Sequence, residues 1–281
     1  MEHLYRITSL EGFLSLLIYN RERFVRPIDC WDDTFEGYML HLLDSDDGLL
    51  QVIERLYSDI SDQIVDITIR NFSKLQRSRY ACYGLCWSKV KDSDALWRIY
   101  SYGNKSIQLI SSKSQIIEML NAAGWLDASF DIYSVQYDIE DEKSAINKIL
   151  KRNSKIVSAY FHKRPAFKHE EEVRVLINDS ERYKKIDAFS IQAIKANYKL
   201  TDHNKNATTR LHEAIKNLNV KENYRKIVPK ELFVDINNLS SYIEGVRVHP
   251  QATEWYADLI NTLCQQYGLK YKGKSDLYRK A

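Results

Sequence analysis

No stretch of this chain approaches the roughly 20 consecutive apolar residues that a membrane-spanning helix requires, so no membrane partner is expected. The opening Met1-Glu-His-Leu-Tyr-Arg-Ile7 has neither the basic region nor the apolar core of a secretory signal, and the expected setting is cytoplasmic. Cysteine is sparse: Cys30, Cys82, Cys86 and Cys264 are scattered and signal no disulfide scaffold. Cys82 and Cys86 lie four apart with no second Cys/His pair nearby, so reduced thiols are expected rather than a metal site. There is no G-x-G-x-x-G turn, which argues against a Rossmann dehydrogenase. Internal repeats and a Pro/Gly-rich linker are both missing, so one mixed α+β domain over residues 1–281 is the economical reading.

What is present is an ordinary globular balance, 44% apolar and 28% charged, and enough chain to bury a substantial core. The net charge of +3 is small, but its distribution is uneven. Residues 1–60 hold 5 Lys/Arg against 12 Asp/Glu, so the later chain is basic and would suit an anionic ligand such as a dinucleotide or nucleic acid. A normally charged surface is the plain alternative. The 19 tyrosines offer faces for stacking and hydroxyls for hydrogen bonding, though most are expected to sit half-buried.

Periodicity places a short strand at Leu4–Ile7, with Leu4 and Arg6 on one face and Tyr5 and Ile7 on the other. A helix follows from Leu10 to about Tyr19, capped by Thr8 or Ser9. Phe24–Arg26 is extended and ends at Pro27; Trp31–Gly37 is an acidic turn. Tyr38 to Leu75 is predicted helical with a break near Asp44–Gly48, and Leu50, Ile53, Leu56, Tyr57, Ile60, Ile64 and Ile67 recur at helical spacing. This stretch reads as a helical insertion at about 38–78. Strands are then expected at Ala81–Trp87, Ser106–Ile110, Ile132–Tyr137, Glu172–Ile177, Leu232–Ile236 and Gly245–Val248. Helices are expected at Asp94–Tyr102, Ser114–Ala123, Lys143–Tyr160 and Thr253–Tyr267, and residues 195–226 form a polar, Lys/Asn-rich middle.

Three groups of residues could carry chemistry. In Glu170-Glu-Glu-Val-Arg174 a strand period of two would put Glu170, Glu172 and Arg174 on one face and Glu171 on the other. Neighbouring carboxylates repel, which pushes their pKa values apart, and such a pair suits general-base work or stabilisation of a cationic transition state. The plain alternative is a solvated acidic strand end, salt-bridged to Arg174 or Lys168. In the second group Ser88 emerges from a buried strand, and Trp97 and Tyr100 are a helical step apart, placed either to stack on a ring or to pack in the core. The third is Tyr5-Arg6 on the first strand, where an inward Arg could fork onto a phosphate or ribose and an outward one would reach solvent.

The order of these groups resembles a bacterial and phage family catalogued as a domain of unknown function and grouped with the ADP-ribosyltransferase superfamily. The resemblance runs through Leu4-Tyr-Arg-Ile7, the turn Trp31-Asp-Asp-Thr-Phe-Glu36, Cys86-Trp-Ser88, Asp92 and Leu96-Trp97-x-x-Tyr100. It is most specific at Phe167-x-x-Glu170-x-Glu172-x-Arg174, where Phe167 stands in place of the more typical Trp. It implies an ADP-ribosyltransferase-like split mixed β-sheet with helices packed around it, and an Arg-Ser-Glu triad matched by Arg6, Ser88 and Glu172. Glu172 would be the catalytic carboxylate with Glu170 its helper, and Ser88 would buttress them or the nicotinamide ribose. Arg6 or the adjacent Tyr5, with Trp97, Tyr100 and Arg174, would bind NAD as co-substrate.

The expected activity is thus NAD-dependent ADP-ribosyl transfer to a macromolecule. The basic later chain tilts the acceptor toward an RNA or DNA base over protein. The family context implies a toxin or phage-defence effector, with an antitoxin protein as a partner. The competing readings are an inactive nucleotide or nucleic-acid binding module and an NAD glycohydrolase.

Overall fold

The computed structural model describes residues 2–278 other than positions 32, 34, 38–40, 44, 57–64, 102, 127–128, 142–143, 145–155, 217–223 and 225–226. Its strands are β1 (His3–Thr8), β2 (Arg21–Val25), β3 (Cys82–Ser88), β4 (Ile107–Ser112), β5 (Phe130–Ser134), β6 (Gln136–Tyr137), β7 (His162–Lys163), β8 (Glu172–Asn178), β9 (Glu231–Asp235), β10 (Gly245–Val248) and β11 (Tyr271–Lys274). Ten-residue helices follow β1 and β4 directly, at Leu10–Tyr19 and Lys113–Ala122. The first starts where the Ser9 side chain accepts from the Gly12 N–H and stops where Asn20 takes a left-handed conformation.

β3 is the branch point of the main sheet. Along one edge β8 pairs with it from Cys82↔Asn178 to Ser88↔Glu172, and β5 pairs with the far side of β8. The other edge is shared: Ser88 meets Tyr5 of β1, while Gly84 meets Val25 of β2. One arm continues through β1, β4, β10 and β11, the other through β2 and β9. β10 and β11 run parallel and the other ladders antiparallel, so the sheet is mixed and split, an α+β architecture. A separate parallel pair, β6 with β7, sets Tyr137 beside Lys163.

The two faces of the sheet differ because side chains alternate along each strand. Leu4, Leu85, Trp87, Leu109, Val173, Val175, Ile177 and Val246 form one apolar face, covered by Phe13, Leu16 and Leu17, by Ile116 and Leu120, and by Ile260 of the helix Glu254–Gln266. On the opposite face Cys82 and Leu176 lie under Phe72 and Leu75 of the helix Val65–Tyr80 and Ile194 of the helix Ser180–Leu200. Further along that second face, around Cys86, Ser88 and Glu172, the sheet opens into clefts.

Several expectations are revised. The Lys/Asn-rich middle contains the helix Ala207–Lys216 and the end of the 21-residue helix Ser180–Leu200. The longer helix buries a narrow stripe, Ile186, Ser190 and Ile194, and its central Ser190 hides the apolar period by bonding back to the Ile186 carbonyl at 2.6 Å. The strand expected over Ile132–Tyr137 breaks at Val135, whose N–H donates to the Glu172 carbonyl at 2.8 Å before β6 turns away to β7. Within the expected helical stretch, Asp46–Leu56 and Val65–Tyr80 are helices; Ile67 is 59% exposed, and the buried stripe is Val65, Ile69, Phe72 and Leu75. Of the helix expected at Lys143–Tyr160, positions 143 and 145–155 lie outside the described residues, and Ile156–Phe161 forms a 3-10 turn.

Candidate active site

Register brings three expected residues into one row. Tyr5 of β1 pairs with Ser88 of β3, and Ser88 with Glu172 of β8, so all three project from the same face of adjacent strands. Arg6 projects from the other face. Its Nη2 lies 2.7 Å from Glu22, and its guanidinium sits 4.9 Å from the centre of the Trp87 ring. Strand alternation forces the choice, because Leu4 and Arg6 share the face that joins the apolar core. Tyr5, rather than Arg6, therefore stands beside Ser88 and Glu172.

Glu170 reaches Glu172 by a different route from the expected one. The strand begins only at Glu172; Glu170 ends a 3-10 turn over Pro165–Glu170, and Glu171 between them is left-handed, with φ of 40°. A non-glycine residue held there stores roughly 1–3 kcal/mol of strain, so the neighbouring bonds must impose it. They do. Glu171 N–H donates to the Lys168 carbonyl, Lys89 N–H donates to the Glu171 carbonyl at 3.0 Å, and the Ser88 hydroxyl donates to the Glu170 carbonyl at 2.6 Å. Ser88 also accepts from Val90 N–H at 3.0 Å. Its role in this structure is to hold the turn that aims Glu170.

The two glutamates meet two cations and a third carboxylate. Lys163 Nζ lies 2.7 Å from Glu170, 3.1 Å from Glu36 and 3.6 Å from Glu172. Arg174 Nη2 lies 2.8 Å from Glu172 and 2.9 Å from Glu36, its Nη1 donates to the Tyr160 carbonyl, and its plane rests 4.0 Å from the centre of Trp31. All five charged side chains are buried. Burial opposes ionisation of Glu172, yet the charge and hydrogen bond of Arg174, with Lys163 and Cys86, together outweigh it and hold the carboxyl below its ordinary value. Burial pushes Glu36 up, against the pull of Arg174 and Lys163. For Lys163, burial is overcome by the surrounding glutamates and the ammonium is held charged well into the alkaline range.

Neutral groups complete the wall. The Tyr137 hydroxyl accepts the Glu172 N–H at 2.8 Å, and burial pushes its pKa up to about 12. Tyr100 donates to Glu170 at 3.4 Å, and burial raises its hydroxyl as well. Burial, followed by the nearby Glu172 charge, likewise keeps the Cys86 thiol protonated. Cys86, Tyr100, Glu170 and Glu172 line two clefts at once. The first runs past Tyr5, Ser88, Lys91 and Gln108; the second past Trp31, Glu36, Lys163, Arg164 and Phe167.

Trp97 lines neither cleft. It is 1% exposed and packs edge-on against His249, with ring centres 5.2 Å apart, so of the expected stacking pair only Tyr100 faces the site. Glu36, Lys163, Tyr137 and Cys86 were not singled out as site residues by sequence reasoning. Glu36 did lie in the acidic turn quoted for the resemblance; a buried lysine on a two-residue strand leaves no periodic signal.

Residues 96–175 match a family described as "protein of unknown function (DUF2971)". That segment carries Tyr100, Tyr137, Lys163, Glu170, Glu172 and Arg174, and stops short of Tyr5, Glu36 and Ser88. Among solved structures the chain is similar to Thermus sp. 2.9 DarT in complex with ADP-ribosylated ssDNA, at 12% identity. The match covers 99% of this chain and 96% of that one, with a TM-score of 0.34, a level of superposition that does not establish a common fold. No curated protein matches the chain.

Proposed function

We propose that the chain is an NAD-dependent ADP-ribosyltransferase that modifies a macromolecule, with a nucleic-acid base as the favoured acceptor class. The observation that carries this reading is the row Tyr5, Ser88, Glu172 across three neighbouring strands, with Glu170 beside it. It provides a polar residue, a serine and a glutamate in the order that the sequence resemblance implies, with Tyr5 in the first position. Breaking the bond between nicotinamide and ribose passes through a state with positive charge on the sugar, as glycoside cleavage does. An ionised, buried carboxylate at Glu172 stabilises that charge, and Glu170 can take the proton of the incoming nucleophile. Arg6 is committed to Glu22 on the far face, so the cation left at the first cleft for a pyrophosphate is Lys91, whose side chain is exposed.

The nucleic-acid preference rests on the charge imbalance along the chain, part of which the fold consumes internally. Glu36 pairs with Lys163 and Arg174, and Asp33 lies 2.9 Å from Arg164. A toxin or defence role, with a partner antitoxin and a cytoplasmic setting, belongs to the same reading; among the described residues no helix is long and apolar enough to cross a membrane.

Incubation with labelled NAD and lysate tests the proposal. Label on nucleic acid is the expected result; label on protein would move the acceptor, and free ADP-ribose would make the protein a glycohydrolase. Glu172→Gln should lower turnover at least about a hundredfold while leaving the fold, since one preorganised charge-stabilising group is worth that much. Turnover retained in that variant would remove the assignment. Poor growth on expression of the native chain, relieved by Glu172→Gln, is the expected cellular result.

A further inference from the structure

We propose that Lys163 is a built-in counter-ion that a cationic ligand displaces, so that the site selects a positively charged ring over its neutral counterpart. This rests on the reading of the site as one that takes NAD, whose nicotinamide ring carries a positive charge.

Formal charge is the first observation. Among the described residues three carboxyl groups, Glu36, Glu170 and Glu172, meet two cations, Lys163 and Arg174, and burial pushes Glu36 up, so the buried cluster has room for one further cation or a proton. Around this cluster burial keeps Cys86, Tyr100 and Tyr137 protonated, Arg164 is paired with Asp33 at 2.9 Å, and Lys91 lines only the first cleft with its side chain exposed. A buried charge deficit beside an open cleft is a site for a cation.

The second observation is that the two resident cations are held differently. Arg174 is fixed from three sides, by two carboxylates, the Tyr160 carbonyl and the Trp31 face, and its planar fork cannot turn without losing several bonds. Lys163 is a compact ammonium on a flexible stem, resting 4.5 Å from the centre of Phe167 and shared among three carboxylates. A small swing toward Glu36 keeps one ion pair and releases Glu170 and Glu172. Those two line both clefts, whereas Glu36 lines only the second. Tyr100, 50% exposed beside Glu170, supplies an aromatic face for the incoming cation. Lys163 thus holds Glu170 and Glu172 in place while the cleft awaits its ligand, and yields when a cation arrives.

The test compares binding of the N-methylnicotinamide cation with that of neutral nicotinamide, by tyrosine and tryptophan fluorescence or by NMR. The wild-type protein should bind the cation about tenfold more tightly or better, the scale of a close charge pair. Lys163→Met should tighten the cation further and leave nicotinamide unchanged. Glu36→Gln should weaken the cation, because Lys163 then has nowhere to retreat. Equal affinities in the wild type, binding of neither probe, or a Lys163→Met variant that weakens both alike would overturn the proposal. If Lys163→Met does not fold, the wild-type ratio decides alone. None of these readouts needs turnover. A cation preference without NAD cleavage would keep the counter-ion and remove the transferase reading; cleavage without a preference would do the reverse.

Discussion

Replacing Arg174 with methionine tests whether the charge cluster is held together as described. Methionine is a long, unbranched apolar chain, so the main loss is electrostatic. Arg174 is 1% exposed, bonds to Glu172 at 2.8 Å and to Glu36 at 2.9 Å, and covers the Trp31 ring. Removing one partner of a buried ion pair costs about 3–5 kcal/mol, because the other charge is left without compensation. A ceiling on the same scale comes from protonation. Raising a carboxyl from 4.5 to neutrality costs about 3.4 kcal/mol at roughly 1.36 kcal/mol per unit, after which the stranded group is neutral. Against a total stability of about 5–15 kcal/mol this is a large fraction. Urea unfolding at neutral pH should show the loss as a lower midpoint with an unchanged slope.

The pH dependence fixes the cause. Glu172 titrates below its ordinary value in the folded protein, so its contribution is complete above about 4.5 and is lost as the pH falls through the lower folded value. The difference between wild type and Arg174→Met should therefore be full at neutral pH and shrink as the pH falls below the ordinary carboxylate value toward the lowered folded one. Adding Glu172→Gln to Arg174→Met should recover much of the loss, since the amide leaves no uncompensated charge there. A difference below about 1 kcal/mol, the range of an exposed pair, would refute the reasoning, as would one that does not change with pH.

Two further substitutions separate packing from chemistry. Gly84→Ala would place a Cβ 2.6 Å from Trp31 Cζ2 and 3.1 Å from Leu176 Cδ2, so the indole that supports Arg174 must shift. A loss of about 1–3 kcal/mol with a changed near-UV spectrum is expected, and an unperturbed spectrum would show that the indole has room. Trp97→Ala should cost about 3–5 kcal/mol of stability, as large-to-small core changes do, with little effect on affinity for the nicotinamide probes. A loss of affinity without a loss of stability would return Trp97 to the site.

Much of the site was legible one element at a time. The glutamate run, the serine at the end of a buried strand and Tyr100 stand out by composition and spacing, whereas Trp97, a helical step away, is core. The period of two also separated Tyr5 from Arg6 correctly, but a single strand does not say which of its faces joins the core. That choice was made by Trp87, Leu109 and Glu22, which receive Arg6 on the apolar side. The period failed at Glu170, where Ser88, Lys89 and Lys168 impose a left-handed turn that no pattern of apolar residues encodes.

By itself the sequence determined the kind of molecule this is: α+β, with strands β1, β3, β4 and β8 near their expected places and Glu172 at the start of one of them. Those features follow from local periodicity, which a chain carries in every short window. Only the tertiary structure decided that Glu36 and Lys163, 127 positions apart, would lie 3.1 Å from each other between Glu170 and Arg174. A buried lysine and a buried glutamate are each costly alone and acceptable together, so neither is predictable until the other has been placed.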